Sequence, residues 1–335
     1  MDIKVSIIGA GPAGIEAAAT LANQGAKVTI FEQESAPLSN LANKALLFPN
    51  FAKADAVVER LNQQLQHPNI DLKTSISIVD ITRENDDCWK LTCSDGTSHK
   101  ADKVIVATGY TPFDASRKEE LGYGIYRGVH TSIELEQMLR QGRIVAPHGH
   151  TPKRITFLQC VGSRDEKIGN QYCSKLCCIT AVKQAIEVCK LYPGIEATVF
   201  YMDLRMWGQG FEELYREAQQ KYHIQFVRGR ISEASSTFDG RVQIKAEDTL
   251  MGLPLKMTSD MLVLMVGMEP SEGTKMIGKK CQICGNYGFL NSIDPHLDDN
   301  LTIYPNLFLA GSCKRPMTLT DVITDARSAA SILLR

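Results

Sequence analysis

Excess charge of one sign is absent from this sequence: 37 basic against 38 acidic residues leave a formal net charge of -1. That balance speaks against a nucleic-acid or polybasic membrane role, so small molecules and proteins are the expected partners. Long apolar runs are absent too, since no stretch reaches the roughly 18 residues that would span a bilayer. Neither a basic leader nor a cleavage site precedes the apolar run at residues 3–8, so the expectation is a cytoplasmic chain without membrane insertion. Without a secretory signal, the ten cysteines favour metal binding or redox chemistry over a disulfide framework. At 335 residues the chain exceeds the usual size of one domain, and two domains with separate cores are expected.

Four of the ten cysteines lie in CVGSRDEKIGNQYCSKLCC, residues 160–178, in the pattern C-x12-C-x3-C-C. Adjacent cysteines such as Cys177 and Cys178 can hardly pair with each other without strain. Four thiolates so close together suit the soft ligation that iron–sulfur clusters require, whereas the alternative is four small buried hydrophobes. If Cys173 and Cys177 share a helical face, Cys178 is turned about 100° away. One cluster then takes both neighbours only through a distorted turn.

The first strand, residues 3–8, runs straight into Gly9-Ala10-Gly11-Pro12-Ala13-Gly14 and a helical segment at 15–24. This is a G-x-G-x-x-G turn between a strand and a helix. Gly9 permits the tight turn, Gly11 lets the backbone approach a pyrophosphate, and Gly14 allows close packing of helix on strand. The helix N-terminus, with Pro12 and Ala13, faces the phosphate charge. A second strand at 27–31 ends at Glu32, where an acid that binds ribose hydroxyls is expected. The bland alternative is a glycine turn in an unliganded α/β domain.

Residues 101–112, ADKVIVATGYTP, form a strand ending in Ala107-Thr108-Gly109, and 306–311, NLFLAG, form another ending in Gly311. Both resemble signatures of the two-dinucleotide-binding flavoproteins, the glutathione and thioredoxin reductase-like α/β fold with nested Rossmann-like domains. The resemblance implies FAD at the first fingerprint, with Thr108, Gly109, Gly311 and Ser312 bordering the flavin. It also implies that a final helix, with Thr318, Thr320 and Asp321 at its N-terminus, faces the flavin pyrimidine, where the helix dipole would stabilise the reduced anion. Ser312 stands where the superfamily usually has aspartate.

An internal echo orders the domains. DKVIVATGYTPFD at 102–114 and DMLVLMVGMEPSE at 260–272 each lead from an aspartate through an apolar strand to a glycine, with a proline three residues beyond. The expected arrangement is a discontinuous FAD domain, 1–115 plus 271–335, enclosing an insert at 116–270. Helical segments at 180–191 and 211–222 and a strand at 197–202 give that insert βαβ content. In flavin disulfide reductases the insert carries a second glycine fingerprint for NAD(P)H. Here the strand at 154–159 leads into Cys160-Val161-Gly162-Ser163-Arg164-Asp165, with one glycine where three are needed. The cysteine run opens in the place of a nicotinamide site.

CVGSRD, YCSKLCC, the lysine five residues after the cysteine pair, and GVHTSIELEQML at 128–139 are similar to motifs of the HdrA family of heterodisulfide reductase, over nearly the whole chain. That resemblance implies a cytoplasmic FAD protein in which Cys160, Cys173, Cys177 and Cys178 ligate one [4Fe-4S] cluster. Lys183 would lie close to the flavin and stabilise its reduced form. The partners implied are proteins resembling heterodisulfide reductase subunits B and C, together with a second copy in a homodimer. Methanogen members are longer and carry ferredoxin-like modules; here no C-x2-C-x2-C-x3-C-P run appears, and the compact form resembles the HdrA-like flavoprotein of bacterial sulfur oxidation. The second glycine pair often found after the ribose acid is also missing from 34–43.

Cys281 and Cys284 form a C-x2-C pair that reads as a loop pair, a redox dithiol or half of a zinc site. Three functions follow: an electron-transfer flavoprotein of a heterodisulfide reductase-like complex in sulfur metabolism; a thioredoxin reductase-like enzyme using Cys281 and Cys284; or a noncatalytic assembly component that retains FAD.

Overall fold

The structure, a computed structural model, describes residues 3–85 and 88–334. Its chain divides into two compact units. One comprises Met1–Ala42, Asp55–Thr111 and Glu269–Arg335, and the other Asn43–Ala54 and Pro112–Met268.

The first unit is built on a parallel five-stranded sheet in the order Leu307–Leu309, Lys103–Val106, Lys4–Ile8, Lys27–Phe31, Ile70–Lys73. Its central strands are almost wholly apolar, as a parallel sheet covered on both faces requires. On one face the helix Pro12–Ala22 packs with the helix Leu319–Leu333. Pro12 at the first helical turn and an alanine-rich body favour the first helix locally. Ala13, Ala17 and Ala18 share a buried cluster with Ala326, Ala329 and Ala330, so small side chains let the two helices approach closely. The other face is covered by an antiparallel meander, Ile78–Asn85, Cys88–Cys93 and Ser98–Ala101, and by the helix Glu272–Lys280.

The second unit repeats that plan. Its parallel sheet runs Val129–Thr131, Met261–Val266, Arg154–Val161, Glu196–Tyr201, Gln225–Arg228. Helices Cys177–Leu191 and Phe211–Gln220 bury their apolar sides in one core, and an antiparallel sheet, Ile231–Ser236, Val242–Asp248 and Leu253–Ser259, closes another. The two echoing segments hold equivalent places: Lys103–Val106 and Met261–Val266 each lie second from one edge, next to the strand that leads into the glycine turn or the cysteine turn. Helix Cys177–Leu191 starts three residues earlier than the apolar pattern suggests, because Cys177 and Cys178 open it. Among the described residues no helix is long and apolar enough to cross a membrane.

Candidate functional sites

In the first unit, the strand Lys4–Ile8 ends at Gly9 with φ +109°, a left-handed value that glycine alone adopts freely, and a Cβ there would stand 2.5 Å from the Ala107 carbonyl oxygen. A Cβ on Gly14 would stand 1.9 Å from the Gly9 oxygen, whereas one on Gly11 would meet nothing within 4 Å. The first and third glycines are therefore fixed by packing, and the second leaves bare backbone facing open space, the arrangement a pyrophosphate needs. Glu32 follows the next strand, buried, and its carboxylate accepts from Ala10 N at 2.7 Å and Glu34 N at 2.9 Å. The acid and the turn are thus one unit.

Thr108 and Gly109 leave the strand Lys103–Val106 at the same edge of the sheet. Thr108 Oγ1 shares a 2.6 Å hydrogen bond with Thr274 Oγ1, and its carbonyl accepts from Ser271, the N-cap of the helix Glu272–Lys280. Gly311 has φ +75°, and a Cβ on it would stand 2.8 Å from Ala13 Cβ, so the loop of Gly311 and buried Ser312 lies against the start of the fingerprint helix. Thr318 caps the last helix in a reciprocal box with Asp321, and Thr320 is exposed in its first turn. Sequence reasoning missed Asp325. Its carboxylate accepts from Gly311 N at 2.6 Å and pairs with buried Lys314, supplying to this loop a carboxylate that Ser312 does not. Its one sequence signal is an acid on the buried side of the last helix.

In the second unit, the strand Arg154–Val161 breaks register with its neighbour between Leu158 and Val161. Within that irregularity Cys160 adopts φ +61°, followed by Gly162 at +74° and Arg164 at +54°. Left-handed backbone at Cys160 and Arg164 is unfavourable for side chains that have a Cβ and persists only where the surroundings hold it. The returning segment is pinned by Arg164 N to Tyr172 O at 2.9 Å, Asn170 Nδ2 to Gly162 O at 3.0 Å, and Met268 N to Ser174 Oγ at 2.9 Å. Cys173 precedes the helix rather than sharing its face with Cys177, and Lys175 between them is left-handed at φ +61°. That reversal sets Cys173 apart from the helix, whose first two residues are Cys177 and Cys178.

The four thiols are free, three of them buried and Cys173 half-buried. A hydrogen bond with Cys177 brings the Cys160 thiol down to about 7 against the effect of burial, with help from the Arg164 and Arg205 guanidinium charges. Cys177 is held up by the same bond, then by burial and by the charges of Cys160, Cys178 and Cys173. Burial pushes Cys178 up to about 11, although Arg205 N donates to its sulfur at 3.4 Å. The four sulfurs therefore lie within one another's electrostatic reach. Among the described residues no three His, Cys, Asp or Glu side chains are arranged as a metal-holding group; Cys160 and Cys177 share a hydrogen bond, Cys178 donates to Gln159 Oε1 and Asp203 O, and Cys173 accepts from Lys175 N. The chemistry of the donor set fits an iron–sulfur cluster: four free thiols within reach of one another's charge, one of them already acidic.

Lys183 lies one and a half turns further along that helix and is 2% exposed. Its ammonium donates to Glu136 Oε1, to Leu46 O at 2.9 Å, and contacts Glu187 Oε2 at 2.9 Å. Glu136, on the helix Ser132–Arg140, also accepts from Gln184 Nε2 and Ala45 N. Burial alone would raise Glu136, but the charges of Lys183 and Lys44 and these donors hold it below the usual carboxylate range. Glu187 has less help: burial, then repulsion from Glu136, lifts it to about 7. Both acids escaped sequence reasoning. A glutamate within each otherwise apolar helical stripe was the available signal.

Cys281 caps the helix Glu272–Lys280 and is buried, its thiol pushed up to about 11 by desolvation, while Cys284 is exposed. Cys313 is fully buried, donates to Val106 O at 3.3 Å and is pushed up to about 12.

Residues 2–120 match the pyridine nucleotide-disulphide oxidoreductase family. The HdrA component of the H(2):CoB-CoM heterodisulfide,ferredoxin reductase of Methanothermobacter thermautotrophicus is 39% identical over 235 residues, covering 68% of this chain and 36% of that protein. Its counterpart in the H(2)/formate:CoB-CoM heterodisulfide,ferredoxin reductase of Methanococcus maripaludis is 30% identical, covering 99% of this chain and 64% of its own length. The chain thus spans between about one third and two thirds of the curated relatives it matches. Lactococcus lactis thioredoxin reductase superposes with a TM-score of 0.71 at 19% identity, covering 99% of this chain and 98% of that one. The T. acidophilum thioredoxin reductase gives 0.69 at 18% identity, covering 99% and 97%. The fold is the two-dinucleotide-binding flavoprotein fold that the strand and glycine pattern led us to expect.

Proposed function

The chain belongs to the HdrA family of heterodisulfide reductase flavoproteins, an oxidoreductase family, and from that premise we propose that it is an FAD- and iron–sulfur-containing electron-transfer component of a heterodisulfide reductase-like complex in cytoplasmic sulfur metabolism. FAD when bound supplies two-electron and one-electron chemistry, and a [4Fe-4S] cluster supplies single-electron chemistry. The observation that carries the reading is the turn after the central strand of the second sheet, where a cysteine in left-handed backbone and a run of interacting thiols stand in the place of a glycine fingerprint.

In this reading Gly9, Gly11 and Gly14 bring bare backbone to the FAD pyrophosphate, the helix start at Pro12 and Ala13 faces its charge, and Glu32 orients the ribose. Thr108, Gly109, Gly311, Ser312, Thr318 and Thr320 border the flavin. Cys160, Cys173, Cys177 and Cys178 would hold the cluster, and Lys183 sets a buried cation in the same unit. The second unit serves as a nucleotide-domain-like insert that couples to one-electron carriers instead of hydride donors. Proteins resembling heterodisulfide reductase subunits B and C, and a second copy of this chain, are the proposed partners.

Anaerobic purification with flavin, iron and acid-labile sulfide analysis tests this. The expected protein is brown, with FAD and a cluster that titrates. A colourless, iron-free chain that cannot be reconstituted removes the cluster from the proposal.

A further inference from the structure

Three buried donors around the cysteine turn have no acceptor. Gln159 Nε2, Ser163 Oγ and Arg164 Nη1 are shut off from solvent and make no hydrogen bond. Buried polar groups in folded proteins are nearly always satisfied, so three orphans between positions 159 and 164 mark a missing partner. Two of them, Gln159 and Arg164, sit against the thiols of Cys178 and Cys160, and Ser163 lies in the same turn, three residues after Cys160. Gln159 Oε1 already accepts from Cys178 Sγ at 3.2 Å, which points the rest of that amide into the same space. The Arg164 guanidinium lies against Cys160, and its Nη2 is fixed by Asp203 Oδ2 at 2.6 Å, leaving Nη1 unused. Ser163 is 1% exposed in the turn itself, and a Cβ on Gly267 would come within 3.2 Å of its hydroxyl, so that glycine keeps room beside it.

The missing partner therefore accepts hydrogen bonds, is favoured by positive charge, and lies among four cysteines. We propose that Arg164, Ser163 and Gln159 donate hydrogen bonds to the sulfurs of a cluster held by Cys160, Cys173, Cys177 and Cys178, and thereby raise its reduction potential. The proposal rests on the cluster reading given above. Reduction adds one electron and breaks no bond; the added charge spreads onto the sulfurs, so fixed donors stabilise the reduced form more than the oxidised one. Arg164 has the largest share, being charged and clamped. These are positioning and tuning residues, not ligands.

The test compares wild type with Arg164→Gln and Ser163→Ala, each purified and reconstituted anaerobically. Iron, sulfide and the cluster midpoint potential are measured by EPR-monitored titration with dithionite. Unchanged iron and sulfide are expected, with reduction about tenfold less favourable in Arg164→Gln, equivalent to about 59 mV for a one-electron couple, and a smaller fall in Ser163→Ala. Resonance Raman of the wild type in deuterated buffer should show shifted iron–sulfur bands. Loaded variants that keep the wild-type potential overturn the proposal. So do wild-type Raman bands that do not respond to deuterium, a result that decides the matter even if a variant fails to load. Wild-type protein that never takes up iron overturns the cluster reading itself, and this proposal with it.

Discussion

The turn after Ile8 and the turn after Leu158 leave the central strands of two sheets with the same strand plan, and each reverses its backbone into the left-handed region within a few residues. In the first the reversed residue is Gly9, and the neighbouring Gly11 presents main chain to open space. In the second it is Cys160, whose side chain joins three other thiols. The two turns thus differ in what they present at the end of a central strand: bare main chain where the reversed residue is glycine, a thiol where it carries a Cβ. The helices that follow differ in the same sense. Pro12–Ala22 buries mostly alanines and one acid, Glu16, at its border with Arg327, whereas Cys177–Leu191 buries Lys183, Gln184 and Glu187 together.

The strongest way to break this comparison is to damage one turn and watch the other. Gly14→Ala puts a Cβ 1.9 Å from the Gly9 carbonyl oxygen, a backbone atom that cannot move without opening the turn. Near-complete loss of bound FAD is expected, with iron retained. Cys177→Ser should do the reverse, abolishing iron uptake while flavin stays bound. Co-purified FAD by absorbance and iron by colorimetry check both, and loss of both cofactors in either variant would mean that the two turns are not independent.

Next in size is Lys183→Met. Removing the ammonium leaves Glu136 and Glu187 facing each other in the interior, and breaking a buried ion pair in this way costs about 3–5 kcal/mol. Urea unfolding should show that loss, partly recovered by adding Glu187→Gln. A stability unchanged by Lys183→Met would mean that the buried charges of this helix are as inert as the alanines of the other.

How far the sequence reached follows the same division. Glycine turns are legible because each glycine answers a local constraint, and the positions of Gly9 and Gly14 can be read from spacing alone. The cysteine spacing was equally plain, and so was the echo of 102–114 in 260–272. What stayed hidden depended on contacts distant in sequence: Asp325 reaching Gly311, Glu136 reaching Lys183, and Ser163 buried without a partner. An acid on the apolar side of a helix is all that announces Asp325 and Glu136, and nothing in the pattern names the partner that each one reaches. The exit of Cys173 from the helix was hidden for another reason, because Lys175 carries its left-handed turn without a glycine to announce it.

A smaller effect sharpens the contrast between the helices. Glu187 is lifted to about 7 by burial and by Glu136. The native state therefore keeps a proton that the unfolded chain releases near an ordinary glutamate value, so stability is highest below that value and falls as pH rises towards 7. Glu187→Gln removes the dependence. The variant should match wild type near pH 4.5 and exceed it by on the order of 2–3 kcal/mol above pH 7, in denaturant titrations at each pH. A wild type with no such slope would show Glu187 ionised throughout, with the charges of Lys183 and Lys190 sufficient to hold it so.

The smallest effect is expected at Cys281 and Cys284, and it bears on which cysteines do chemistry at all. A thiol reacts as its thiolate, so Cys160 at about 7 is poised near neutral pH while Cys281 at about 11 is not. Cys281 also packs among Ile277, Ile283 and Leu290, the setting of a small hydrophobe rather than an attacking group. Cys284→Ser, exposed, should leave flavin content, iron content and stability within about 0.5 kcal/mol of wild type. Cys281→Ser should lose only the stability expected for a hydroxyl placed in an apolar cluster. Anaerobic addition of NADPH gives the decisive reading: flavin that bleaches rapidly in wild type and stops passing electrons to a disulfide in Cys284→Ser would move the chemistry from the cysteine turn of the second unit to this pair in the first.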